Sequence, residues 1–126
     1  MESKKVVVLA SHDELESALP PLNVAVGAAS SGADVITAFS RKGINILDEK
    51  YIPTPSDGLE YLSNALSDFN APSVHNLLEI AVEMGVQFYV VDLDIQDHTC
   101  FRYPVEQVPI KWVLNEAVSA DLFVHF

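Results

Sequence analysis

Four short runs constrain this chain more than anything else in it. Lys5 to Ala10 (KVVVLA), Ala33 to Phe39 (ADVITAF), Val86 to Val91 (VQFYVV) and Asp121 to Phe126 (DLFVHF) are rich in β-branched and aromatic residues. They show little alternation of polar and apolar positions. A strand with one wet face alternates; a strand covered on both faces does not. Between these runs the apolar residues recur at helical spacing. The order β-α-β-α-α-β-α-β predicts an α/β fold with a mostly parallel sheet of four or five strands and right-handed crossovers. A fifth strand has two candidate places, near Tyr51-Ile52 or around Val108–Ile110.

The helices have readable boundaries. Pro20-Pro21 suits the first turn of a helix, and Leu22, Val26 and Ala29 follow at helical spacing up to Gly32. Ile44, Ile46 and Leu47 suggest a short helix, and YIPTPSDG is a turn region. Leu59, Leu62 and Leu66 mark another short helix, broken at Asn70-Ala71-Pro72. Ser73 reads as the N-cap of the next, whose apolar face is Val74, Leu77, Leu78, Ala81 and Val82. Gly85 ends it, and a strand follows at once. The last helix is expected over Lys111 to Ala120.

Composition narrows the function. The 126 residues suit one domain with one core. Eighteen acidic residues against seven basic ones leave a charge of −11. Nucleic acid needs a basic face and anionic membranes need basic clusters, so neither is an expected partner. No apolar run approaches the roughly 20 residues of a membrane span. A single cysteine and no signal-like leader make the cytoplasm the expected location. The first strand is followed by Ser11-His12-Asp13-Glu14, which lacks the glycines of a dinucleotide fingerprint or a P-loop. No cofactor is expected.

The order of the pieces resembles the DsrE/DsrF/DsrH-like superfamily, small α/β proteins linked to sulfur relay. The resemblance rests on an alanine-rich helix ending in Gly32, a strand ending in Phe39, and the turn Arg41-Lys42-Gly43. It continues through Glu83-Met84-Gly85-Val86 before a strand and ends in Ala120-Asp121-Leu122-Phe123. It covers nearly the whole chain. It implies a three-layer flavodoxin-like sandwich and a homo-oligomer (trimer, hexamer or dimer) with a sulfur-relay protein as partner. It also implies, in some members, persulfide sulfur carried on a cysteine at the end of the strand after ExGV. Here those positions read Val90, Val91 and Asp92, so that cysteine is absent. The implied role is a binding or accessory subunit.

Several residues could carry chemistry. Ligands in open α/β sheets bind beyond the carboxyl ends of the strands, and the loop after Val91 holds Asp92, Asp94, Asp97, His98 and Cys100. Cys100 is a candidate persulfide carrier in a sulfurtransferase, with His12, Arg41 and His98 nearby, and Arg102 and His98 close enough in sequence to favour the thiolate. The plainer reading is a small apolar group buried under the loop. Asp92 and Asp94 would share a side in an extended segment. With His98 and Cys100 they could form a small-ligand or metal module, although the spacing matches no established metal motif. The plainer reading is that both acids end the strand and cap a turn. Ser11 and His12 offer a hydroxyl and a general base, or simply a cap for the next helix. Ser40 and Arg41 follow the second strand, and the Arg41 fork suits a carboxylate, sulfonate or phosphate. His75 and His125 are assigned to packing or surface. Trp112, Phe101 and Tyr103 suit either core or a subunit contact.

Overall fold

The computed structural model describes residues 3–126. Five strands form one sheet: β1 (Lys5–Ala10), β2 (Asp34–Phe39), β3 (Gln87–Val91), β4 (Glu106–Val108) and β5 (Leu122–His125). Every pairing is parallel and the order is β4-β3-β2-β1-β5. The helices are α1 (Leu15–Ser30), α2 (Leu62–Asp68), α3 (Val74–Glu83) and α4 (Ile110–Val118). The fifth strand falls next to the second expected place, two residues earlier, at Glu106–Val108.

Strand side chains alternate between faces, and the core divides accordingly. Val6, Val8 and Ala10 of β1 pack with Leu22, Leu78 and Phe39 in a cluster under α1 and α3. Val7 and Leu9 point the other way, into a smaller cluster with Ala38, Val91, Val108 and Val113 of α4. The molecule is therefore three layers, with α1 and α3 on one face of the sheet and α4 on the other. This explains the lack of alternation in β1, since both of its faces are dry. Phe39 and Phe88 meet edge to face with ring centres 5.8 Å apart. Trp112 lies against Tyr89 at 4.6 Å, and Tyr103 against Phe88 at 6.0 Å. Trp112 and Tyr103 thus pack within the molecule and are half-buried.

The first helix begins earlier than its prolines suggest. It starts at Leu15, and Pro20 and Pro21 lie inside it. Each interior proline forfeits a helix hydrogen bond, at a cost of about 3 kcal/mol. Tertiary contacts offset this. Leu15, Ala18, Leu22 and Ala25 form one buried stripe that runs straight through the prolines, and a buried leucine contributes roughly 1.5–3 kcal/mol. The YIPTPSDG segment also clasps the first turn. Leu15 N–H donates to Thr54 O at 3.0 Å. The Ser56 N–H and hydroxyl both donate to the Glu16 carboxylate, and Tyr51 Oη donates to Asp13 O at 2.6 Å.

Helix α2 begins at Leu62, three residues after Leu59, and the ends of α3 follow the sequence closely. Ser73 Oγ accepts from Asn76 N–H at 3.1 Å, so it is the N-cap of α3. Helices α1 and α3 end alike, with Gly32 (φ 88°) and Gly85 (φ 82°) in the left-handed region. Ala33 N–H reaches back to Ala28 O, and Val86 N–H to Ala81 O. These closed turns deliver the chain straight into β2 and β3. The expected short helix after β2 is a run of 3-10 turns over Arg41–Leu47.

Candidate functional site

The two-residue period that divides the core also builds a polar cluster at the carboxyl end of the sheet. Leu9 and Ala38 belong to the α4 face. Two residues on from each, past the strand ends, come Ser11 and Ser40 on that same face. His125 is in register with Leu9 on the adjoining β5. Three strands therefore bring three polar side chains side by side. Ser11 Oγ lies 2.7 Å from Ser40 Oγ and 3.0 Å from His125 Nε2. Ser11 and Ser40 are 8% and 6% exposed, so water can do little to replace the bond between them.

The backbone around the cluster is tightly fixed. Ser40 N–H donates to Ala10 O at 2.9 Å, and Ser11 N–H donates to Phe126 O at 2.9 Å. Gly43 passes so close that a Cβ there would lie 2.1 Å from Ala10 O. Only glycine allows this approach. Arg41 sits at φ 52°, a left-handed conformation uncommon for a residue with a side chain. Its N–H donates to Asp94 Oδ2 at 2.9 Å, which ties the β2 loop to the turn after β3. Among the described residues no carboxylate pairs with the Arg41 guanidinium, since the ion pair found is Lys5 with Glu116, far along β1.

Ser11, Ser40, Arg41, Asp94 and His125 wall a cleft of about 370 Å³, together with buried Val91 and exposed His12, Leu93 and Ile110, the first residue of α4. A second hollow adjoins it across Arg41 and Asp94, and His98 and Gln96 line its far side. Ser11, His12, Ser40, Arg41 and Asp94 thus meet in one cleft, as the strand-end argument expects, with His98 next door. Other hollows lie at the amino ends of β3 and β4 and between α1 and α2; the first is walled mostly by Val, Phe and Pro, and the second adds serines to apolar residues without an acid or base.

Three expectations are corrected. Ser11 and His12 do not cap α1, whose N-cap is Glu14 without a side-chain bond. Asp92 does not join the cleft: Asp92–Asp94 form a 3-10 turn rather than an extended segment, and in such a turn the two carboxylates diverge. Asp92 is exposed while Asp94 bonds Arg41. The loop does not gather its ligand types either. Among the described residues no three His, Cys, Asp or Glu side chains come together as a metal set.

Cys100 is exposed, so it is not the buried apolar group that the plainer reading expects. Backbone bonds hold its neighbourhood: Glu49 N–H donates to Cys100 O at 2.8 Å, and Arg102 N–H to Leu47 O. It lines neither hollow. His125 was the residue that sequence reasoning passed over. Its one signal is its place at the carboxyl end of a strand, which gains meaning only once β5 is known to lie beside β1.

The first-turn clasp perturbs two groups away from the cleft. The Ser56 hydroxyl bonded to Glu16 holds that carboxyl below its ordinary 4.5. Burial, and then Asp13, Glu14 and Glu16, push the Tyr51 phenol well above its ordinary range.

Comparison with known proteins adds a fold. The structure superposes on the crystal structure of the YchN protein from E. coli with a TM-score of 0.69, covering 99% of this chain and 100% of that one. The fold is like that of YchN. At 16% identity the likeness is one of architecture. No family model matches the chain, and no curated relative matches its sequence. No helix among the described residues is long and apolar enough to cross a membrane.

Proposed function

We propose that this protein is a DsrE/DsrF-like accessory subunit of sulfur metabolism that binds a small ligand in the carboxyl-end cleft. The observation that carries this reading is the state of the position where the resemblance places the sulfur-accepting cysteine. Positions 90–92 read Val90, Val91 and Asp92, and Val91 lies on the wall of the cleft. A cleft without that nucleophile supports binding rather than sulfur transfer. The YchN-like architecture supports the assignment.

The same reading includes assembly with further copies of the chain. Ile110, Leu114 and Val118 recur along the outer side of α4 and are 40%, 50% and 88% exposed, and exposed Phe123 of β5, in register with Val7 on the same sheet face, extends this apolar surface. An assembly would cover it. Light scattering during gel filtration tests this: a trimer, hexamer or dimer is expected, shifting toward monomer in Leu114→Glu/Val118→Glu. A wild-type monomer at all concentrations would overturn it.

A second reading draws on the exposure of Cys100, which a persulfide carrier requires. Incubation with a sulfane-sulfur donor, read by intact mass, separates the two. The accessory reading expects no stable adduct of one sulfur atom. An adduct that disappears in Cys100→Ser would replace it with the carrier reading.

A further inference from the structure

We infer that the Ser11–Ser40–His125 cluster, with Arg41, is a recognition site for a small oxyanion such as phosphate or sulfate. This deepens the proposed ligand-binding role by naming the chemistry of the ligand, and it rests on that reading only for the place where binding occurs.

The hydrogen bonds in the cluster have a direction. Ser11 Oγ has one proton to give and two partners, Ser40 Oγ and His125 Nε2. When His125 Nε2 carries a hydrogen and donates it to Ser11, Ser11 donates to Ser40. The Ser40 hydrogen is then free to point into the cleft. In the opposite direction Ser40 spends its hydrogen on Ser11 and offers the cleft only lone pairs. An anion needs donors, so it selects the first arrangement. His125 acts here as a positioning residue that sets the direction of two buried hydroxyls.

Three further features favour negative charge. The Arg41 guanidinium has no carboxylate partner among the described residues, although the chain carries eighteen acids. Its fork matches two oxygens of a phosphate or sulfate. The left-handed backbone at Arg41 is the kind of strain that is kept where a side chain must be aimed. The first turn of α4 opens on the cleft at Ile110, and a helix N-terminus adds donors and a partial positive charge. The cleft wall includes one carboxylate, Asp94, and the Arg41 N–H already bonds its Oδ2.

The test is calorimetric titration of the intact protein with inorganic phosphate and, separately, sulfate. Saturable binding of at least one is expected. Ser40→Ala and Arg41→Gly should each weaken it about tenfold, as removal of one charge-assisted bond does. Glycine accepts the left-handed backbone of Arg41, so that variant removes the guanidinium without strain. His125→Ala, at an exposed position, should weaken binding about fivefold. Lys50→Ala, on a turn that lines neither hollow, should leave it unchanged. Uptake of neither anion would overturn the proposal, as would equal losses in Lys50→Ala and Arg41→Gly. Anion binding by a protein that shows no sulfur partner would uphold this site and sink the sulfur assignment alone.

Discussion

The carboxyl-end cleft and the Asp92–Cys100 loop make an instructive pair. The loop concentrates acids, a histidine and the only cysteine within a few residues. Yet the structure spreads them out, with Asp92, Asp97, His98 and Cys100 all exposed. The cleft draws its polar groups from the ends of β1, β2, β3 and β5, up to 114 positions apart, and joins three of them by one buried and one part-buried hydrogen bond. Closeness along the chain gave residue types without a site. Closeness across a parallel sheet gave a site without a motif. A loop can swing its side chains apart at little cost, whereas a sheet register fixes which strand ends stand together.

The contrast should show first in stability. Gly43→Ala places a methyl against the backbone of Ala10 and should cost about 2–3 kcal/mol, as overpacking does. Urea denaturation reads this directly. Cys100→Ser on the exposed loop should change stability by less than about 0.5 kcal/mol. Equal costs for the two would erase the distinction between a fixed cleft and a permissive loop.

A smaller effect sharpens the same comparison inside β2. Thr37 is fully buried and its hydroxyl has no hydrogen-bond partner, three residues before the well-bonded Ser40. Thr37→Val keeps the shape and removes the orphaned group, so a gain of about 1 kcal/mol is expected. A loss would mean that the hydroxyl is satisfied after all.

The smallest effect concerns the clasp on α1. Glu16 has a lowered native pKa, so its contribution is present above the unfolded value of 4.5 and is lost as pH falls through the native one. Ser56→Ala removes the main cause of the shift. A carboxyl titration followed by NMR should show Glu16 rising toward 4.5 in that variant. No movement would place the cause elsewhere.

Much of the fold was legible in the sequence because its signals are local. The unbroken KVVVLA run announced a strand dry on both faces, and Ser73 and Gly85 marked the ends of α3 through chemistry they carry themselves. The prolines misled because a tertiary clasp and a buried stripe outweigh a local penalty at Pro20 and Pro21. Strand β4 has three residues, too few to show a period. The site was half legible. The strand-end rule pointed to Ser11, Ser40, Arg41 and Asp94. It could not pick out His125, since nothing in the chain says that β5 lies beside β1 rather than at the other edge.

Ligand binding is proposed for the strand-end cleft and not for the cysteine loop. The most direct measurement is a map of backbone amide shifts in the labelled protein as inorganic phosphate is added. The expected result is saturable movement at Ser11, Ser40, Arg41 and His125, with Gln96 to Arg102 unmoved. Movement confined to that loop, with the cleft silent, would contradict the account.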